Sequence, residues 1–170
     1  MVVNETTTER QRGGERESNE AENVDKEGGC LGVGTWNVRT MNREGKLENI
    51  KSEMERNKIN VLGISQVRWK DGGEFESDGY RVLYAGEKEC QRGVAIILDR
   101  TCANKVSSVE RYGDRIILVK LQAEPVNMCI VQIYMPTSEH SDEEVEQIYD
   151  QIEELIKRQK GTENLLIMGD

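Results

Sequence analysis

Apolar residues are grouped in short segments along this chain, and each segment predicts one element of secondary structure. Residues 45–58 repeat apolar positions at spacings of three and four, which predicts a helix. Ser141 and Glu144 form a capping box that begins a second amphipathic helix. Strands are predicted where apolar runs are bounded by Gly, Asp, Asn or Pro. The predicted strands are 31–37, 60–65, 80–85, 93–98, 103–109, 115–123, 127–134 and 164–168.

The order of these elements indicates an α/β fold. Residues 31–65 predict strand, helix and strand with short links, which is typical of a parallel crossover. The run from Ile116 to Val119 is apolar on both faces of its strand, so the sheet is expected to be covered on both sides. We therefore predict an α/β sandwich.

The first 29 residues differ in composition from the rest. They contain eight acidic and four basic residues and no aromatic residue. A segment with so little apolar surface cannot offset its ordering entropy, so we expect a disordered acidic tail over residues 1–29 and a folded domain over residues 30–170. The tail is either without function or an acidic interaction arm.

Composition argues against several classes of protein and of binding site. The net charge of −9 argues against a protein that holds nucleic acid through bulk charge alone. The four cysteines are scattered and form no Cys-x-x-Cys pair, which argues against a zinc site and a disulfide framework. No apolar run approaches the ~20 residues that cross a bilayer. We expect an intracellular protein, nuclear or cytoplasmic, without a membrane association.

Three polar residues follow predicted buried strands: Asn37, Gln66 and Asp170. Ligand sites of α/β folds cluster at such strand ends, so these residues are candidates for one site. Each could equally be an ordinary turn residue, because Asn, Asp and Gly favour turns for conformational reasons.

Five segments of this sequence stand out together by their order and spacing. The segments are 35–41 (TWNVRTM), 61–69 (VLGISQVRW), 92–98 (RGVAIIL), 131–137 (VQIYMPT) and 166–170 (LIMGD). As a series they resemble the endonuclease/exonuclease/phosphatase superfamily, and more narrowly the apurinic-type endonuclease domain of RTE-type non-LTR retrotransposons. The resemblance covers residues 30–170, about the first two-thirds of such a domain.

This resemblance implies a four-layered α/β sandwich, incomplete at its carboxyl end, that hydrolyses phosphodiesters with Mg²⁺. Asn37 would orient the metal site and the phosphate, and Tyr134 would hydrogen bond to the scissile phosphate or simply fill a sheet face. Asp170 would orient the attacking water or stabilise the transition state. Arg39 and Arg68 would contact phosphates of DNA, although solvated charge is the simpler interpretation.

Two departures from the family weaken the expected catalysis. Gln66 stands where the family has its metal-binding glutamate, and a neutral ligand attracts a dication less strongly. The family's closing Ser-Asp-His block is not in this sequence. We therefore expect a Mg²⁺-dependent, DNA-nicking type of domain of retrotransposon origin that is weak or inactive.

Two alternatives to this reading stay open. One is an inactive retroelement-derived remnant or protein-interaction domain, with self-association through an exposed sheet edge. The other, a phosphatase of the same superfamily, matches the quoted segments less well.

Overall fold

Two mixed sheets form the centre of the computed structural model, which describes residues 31–136, 140–159 and 161–169. The predicted tail therefore lies outside the described residues. The strands are β1 Val33–Asn37, β2 Val61–Ser65, β3 Gly72–Ser77, β4 Tyr80–Ala85, β5 Val94–Leu98, β6 Val106–Tyr112, β7 Ile116–Leu121, β8 Met128–Ile133 and β9 Asn164–Gly169. The helices are α1 Lys46–Arg56, α2 Arg100–Ala103 and α3 Asp142–Arg158.

Each sheet contains one parallel pair of strands. The first sheet has the order β1-β2-β5-β4-β3, and the second has the order β6-β7-β8-β9. Strands β1 and β2 are parallel, as the crossover pattern predicts, and β8 and β9 are parallel in the second sheet. The carboxyl ends of each parallel pair therefore lie side by side.

Three apolar clusters hold four layers together. The largest cluster joins the facing sides of the two sheets through residues such as Ile96 of β5 and Ile117 of β7. A second cluster packs Ile50 and Met54 of α1 on the outer face of the first sheet. A third packs α3 on the outer face of the second sheet. The fold is thus the four-layered α/β sandwich that the sequence predicted.

The two helices predicted from the sequence, α1 and α3, begin where the pattern places them. Helix α3 begins after Ser141, whose Oγ accepts a hydrogen bond from the Glu144 backbone N–H at 3.3 Å. Acidic residues occupy its first turn and basic residues its last, which complements the helix dipole. Within the described residues, none of the helices is long and apolar enough to cross a membrane.

Two segments differ from the sequence prediction. The strand predicted at 103–109 is wrong at its start, because α2 ends at Ala103 and β6 begins only at Val106. The Asp99 carboxylate accepts from the Cys102 N–H at 2.8 Å and caps this short helix. Strand β3 was missed, since its sequence GGEFES lacks apolar alternation and it forms by pairing with β4.

Strand β9 is the outer strand of the second sheet among the described residues. Ile167 is 43% exposed there, whereas Leu165 packs against the cluster beneath α3. An exposed apolar residue on an edge strand is the feature expected of a surface that pairs with another segment.

Candidate functional site

The strands that precede the predicted site residues end on the same side of the sandwich. In the first sheet, Asn37 lies opposite Ser65, the residue before Gln66. In the second sheet, Ile133 lies opposite Gly169, and Tyr134 follows directly. Asp170 itself lies outside the described residues.

A hydrogen bond joins the two sheets at this end. The Gln66 Nε2 atom donates to the Tyr134 hydroxyl oxygen at 2.6 Å. Gln66 has a left-handed backbone, with φ of 60°, which turns the chain sharply after β2. Tyr134 is 8% exposed and belongs to the cluster between the sheets. Its ring therefore fills the core, while its hydroxyl group reaches the candidate site.

The loops that carry Arg39 and Arg68 are held against each other. The Met41 N–H donates to the Val67 carbonyl at 2.9 Å, and the Asn42 side chain donates to the Arg68 carbonyl at 2.9 Å. The Asn37 Oδ1 atom accepts from the Arg39 N–H at 3.1 Å, which shapes the first loop. Both arginine side chains are exposed, so they are available to a ligand at the edge of the site.

These two loops are basic although the chain is acidic. Residues 38–46 and 66–71 contain five basic and two acidic residues. Because screening limits charge effects to about 10 Å at ordinary ionic strength, a local excess attracts an anion despite the overall charge. The basic residues are Arg39, Arg43, Lys46, Arg68 and Lys70.

Arg115 supports Tyr134 from below. Its guanidinium lies 5.3 Å from the centre of the Tyr134 ring, and its Nη1 atom donates to the Tyr134 carbonyl at 3.3 Å. Arg115 is only 3% exposed, and its charge is balanced by Glu144, whose Oε1 atom accepts from Nη2 at 2.8 Å. This hydrogen bond lowers the pKa of the Glu144 carboxyl, and Arg92, 3.4 Å from the same oxygen, acts in the same direction.

A second polar contact between the sheets lies deeper. Gln132 is fully buried, and its Nε2 atom donates to the Ser65 Oγ atom at 3.0 Å. Its Oε1 atom is buried, has no hydrogen-bond partner among the described residues and lies against Gly63. A Cβ at position 63 would stand 1.9 Å from that oxygen, so only glycine fits there. Gln132 and Gly63 thus fix how closely β2 approaches β8, just below Gln66 and Tyr134.

Comparison with known proteins gives relatives for most of this chain. Craniofacial development protein 2 of Bos taurus is 38% identical over 139 residues, which are 81% of this chain and 23% of that protein. The protein of the same name from Tragulus javanicus is 36% identical over 139 residues, 24% of its length. The chain thus spans about a quarter of the length of these curated relatives. No family model matches the chain.

Solved structures with the same arrangement of sheets and helices establish the fold. The endonuclease domain of TRAS1, a telomere-specific non-LTR retrotransposon, matches 83% of this chain and 58% of its own with a TM-score of 0.58 and 17% identity. An endonuclease/exonuclease/phosphatase family protein from Leptotrichia buccalis C-1013-b matches 83% of this chain and 66% of its own, with a TM-score of 0.55 and 14% identity. The chain has the endonuclease/exonuclease/phosphatase fold.

A third structure with this endonuclease/exonuclease/phosphatase fold is the AP endonuclease LMAP from Leishmania major. It matches 80% of this chain and 53% of its own, with a TM-score of 0.61 and 16% identity. At such identities the shared property is the fold, and the sequence relationship rests on craniofacial development protein 2.

Within this endonuclease/exonuclease/phosphatase fold, the described residues form only a weak set of ligands for a Mg²⁺ ion. Mg²⁺ prefers oxygen ligands and is usually held by one or two carboxylates. Asn37 and Gln66 offer amide oxygens, which are neutral, and the Gln66 amide is hydrogen bonded to Tyr134. In the described part of the chain, no three His, Cys, Asp or Glu side chains lie together in a way that could hold a metal.

Sequence reasoning missed the residues that support this site. Arg115 and Gln132 lie inside predicted strands, where a polar residue gives no sign of the partner that it meets across the sheets. Glu144 was interpreted through its capping position, but its carboxylate binds Arg115 and Arg92 instead. The one available signal was a charged or amide side chain within an otherwise apolar run, since such a residue needs a buried partner.

Proposed function

We propose that this chain is an endonuclease-type domain of retrotransposon origin that acts on DNA and whose Mg²⁺-dependent phosphodiester cleavage is weak. The observation that carries this proposal is the hydrogen bond between Gln66 and Tyr134 at the strand ends of an endonuclease/exonuclease/phosphatase fold. It brings two of the predicted site residues together, and the neutral Gln66 amide occupies the position where the family resemblance implies a charged metal ligand.

The phosphodiester part of the proposal is supported by charge and by fold. The basic loops around Arg39 and Arg68 suit the phosphates of a nucleic acid. The Tyr134 hydroxyl group can donate to a phosphate oxygen, since it accepts rather than donates in its bond with Gln66. The TRAS1 domain and LMAP, which share the fold, are both described as endonucleases.

The cleavage is expected to be weak because the residues that would bind the metal are neutral. Asn37 and Gln66 would be the metal-side residues and Asp170 the group that orients water, as the family resemblance implies. A Gln66→Glu substitution adds the missing carboxylate at the same chain position, so it should raise the affinity for Mg²⁺. We therefore expect this single change to increase cleavage rather than reduce it.

The test is nicking of supercoiled plasmid by the purified chain with and without Mg²⁺, after circular dichroism has confirmed folding. We expect slow metal-dependent nicking by the unchanged chain and at least about tenfold faster nicking by the Gln66→Glu variant, equivalent to about 1.4 kcal/mol in the barrier. Gln122→Glu is the matched control, because Gln122 is exposed at the opposite end of β7 from Arg115. An Asp170→Asn variant should lose the activity.

Two outcomes of this nicking assay would contradict the cleavage proposal. If Gln122→Glu accelerates nicking as much as Gln66→Glu, the effect is not one of the candidate site. If neither the folded unchanged chain nor Gln66→Glu nicks the plasmid with Mg²⁺, the cleavage proposal is wrong, and the interaction function below is favoured.

A second candidate function is that of a protein-interaction domain, favoured by the exposed Ile167 on the outer strand β9. In the described part of the chain, no strand pairs with the outer edge of β9, and an apolar side chain beside such an edge allows a second copy to pair there. Light scattering after size exclusion should show a concentration-dependent dimer, and Ile167→Lys should shift it to monomer. A monomer at all concentrations would contradict this candidate.

A further inference from the structure

Three aromatic side chains form a cluster beside the candidate site. The Trp69 ring lies 5.0 Å from the Tyr84 ring and 5.7 Å from the Phe75 ring, measured between ring centres. The Phe75 and Tyr84 rings are 6.3 Å apart. Phe75 is 38% exposed, and the other two residues are half-buried. The cluster thus presents aromatic surface to solvent rather than closing it inside the core.

Within the paired strands β3 and β4, the side that carries the aromatic cluster has no charged residue. Phe75 lies opposite Val82, which belongs to the cluster beneath α1, so both face outward from the first sheet. Alternate residues face the other side, and these include Glu74 and Glu76. The carboxylates of Glu74 and Glu76 are therefore directed away from the aromatic cluster. Asp78, in the turn between the strands, is neutralised by its ion pair with Lys51 of α1, so a polyanion can approach the aromatic side of the strands without meeting an unpaired hairpin carboxylate.

The loop that leads from the candidate site to the cluster is basic and held in place. Trp69 follows Gln66 by three residues, and Arg68 and Lys70 flank it with exposed side chains. The Val67 N–H donates to the Gly93 carbonyl at 3.1 Å, and the Arg68 N–H donates to the Arg92 carbonyl at 2.9 Å. Aromatic surface next to fixed cations is the combination that binds a single nucleic-acid strand, by base stacking and by contact with phosphates.

We propose that Trp69, Phe75 and Tyr84 form a stacking surface for an unpaired base of a DNA strand whose phosphates contact Arg68 and Lys70. The proposal rests on the proposed function for the choice of DNA as ligand, but it requires neither metal nor cleavage. A base stacked there would belong to the strand that passes the candidate site, since the same loop carries Gln66 and Trp69.

The test uses Trp69 as its own reporter. The chain has two tryptophans, so Trp36→Phe leaves Trp69 as the single one. Its fluorescence is titrated in EDTA with an oligonucleotide of eight thymidines, an abasic oligonucleotide of the same length, and the duplex of the thymidine strand. We expect quenching by the thymidine strand and an affinity at least about fivefold higher than that of the abasic strand, the smallest factor expected for one stacked base.

Two matched variants separate stacking from charge. Phe75→Leu keeps an apolar residue but removes a ring, so it should weaken binding of the thymidine strand to the level of the abasic strand. Tyr149→Leu, which removes an exposed aromatic residue on α3, should change nothing. Arg68→Gln should weaken both single strands alike, because it removes a phosphate contact.

Three results would overturn the inference: equal affinity for thymidine and abasic strands, equal behaviour of Phe75→Leu and Tyr149→Leu, or tighter binding of the duplex. The first comparison needs no cluster variant, so a folding defect cannot hide the answer. A failure of plasmid nicking together with preferential thymidine binding would reject the proposed cleavage and leave the stacking surface supported.

Discussion

Replacing Gly63 with alanine tests whether the two sheets are as tightly fitted at the candidate site as the structure shows. The added Cβ would lie 1.9 Å from the Gln132 Oε1 atom, 2.7 Å from its Cδ atom and 2.8 Å from the Met168 Cε atom. The methionine end can move, but the Gln132 side chain is fully buried and bound to Ser65. Relief of the contact therefore requires either a shift of the sheets or the loss of that hydrogen bond.

The change in the free energy of unfolding caused by Gly63→Ala can be estimated from the shift of the sheets and the loss of the hydrogen bond. Overpacking of a buried site costs about 1–3 kcal/mol, and the lost hydrogen bond adds about 0.5–1.5 kcal/mol. The alanine gains about 0.4–1 kcal/mol from the lower entropy of the unfolded chain, which offsets part of this. We therefore expect a loss of about 0.5–4 kcal/mol in the free energy of unfolding. With an m-value near 2 kcal/mol per M urea, the midpoint falls by about 0.25–2 M.

Urea unfolding followed by circular dichroism measures this loss, and Gly161→Ala is the control because its added Cβ would meet no atom within 4 Å. Adding Gln132→Ala to Gly63→Ala removes the atoms that clash, so the two changes should cost less together than the sum of their separate costs, by about 1 kcal/mol or more. If Gly63→Ala unfolds at the same urea concentration as Gly161→Ala, the close approach of β2 and β8 is wrong.

Three further predictions concern the neighbouring groups. The Glu144 carboxyl has a lowered pKa, so it stabilises the fold only where it is ionised. The difference in the free energy of unfolding between the unchanged chain and Glu144→Gln should therefore be full above about pH 4.5 and should vanish as the pH falls through the folded-state pKa. A constant difference down to about pH 2 in urea titrations would contradict this prediction. Burial raises the pKa of the Cys102 thiol to about 12 and also raises the pKa of the Cys129 thiol. Both thiols should therefore react with a thiol reagent only after unfolding, and fast labelling of either one in native buffer would refute their burial. Tyr134→Phe removes the hydroxyl oxygen that accepts from Gln66, so it should lower the free energy of unfolding by about 0.5–1.5 kcal/mol in the same urea assay. An unchanged free energy of unfolding would mean that this hydrogen bond is absent.

The sequence allowed prediction of those elements whose own residues determine them. Helix α1 and strand β7 follow from apolar periodicity, and β4 lies where the pattern predicts it. Strand β3 could not be found, because GGEFES becomes a strand through hydrogen bonds with β4 rather than through its own preference. The four-residue helix α2 depends on the cap at Asp99, a signal too short for periodicity to detect.

The site was predictable to a similar degree. Asn37 and Gln66 were predicted at the ends of strands, Tyr134 was proposed from the family resemblance, and the topology brings the strand ends that carry them to one side. The partners Arg115 and Gln132 depend on which residues meet across two sheets, which local patterns do not encode. The roles of Asn37, Arg39, Arg68 and Asp170 stay predictions for the assays above.

The direction of one hydrogen bond determines which kind of ligand the candidate site suits. Because Gln66 donates to the Tyr134 oxygen, the phenolic proton is not used in that bond and can be offered outward. A carboxylate at position 66 would reverse the bond, because it would accept a hydrogen bond from the Tyr134 hydroxyl group and would present negative charge. The present chain therefore offers proton donors and arginine side chains to an oxyanion, whereas the glutamate variant would offer lone pairs to a cation. At position 66, an amide nitrogen in place of a carboxylate oxygen would therefore favour a phosphate group over a metal ion as the ligand.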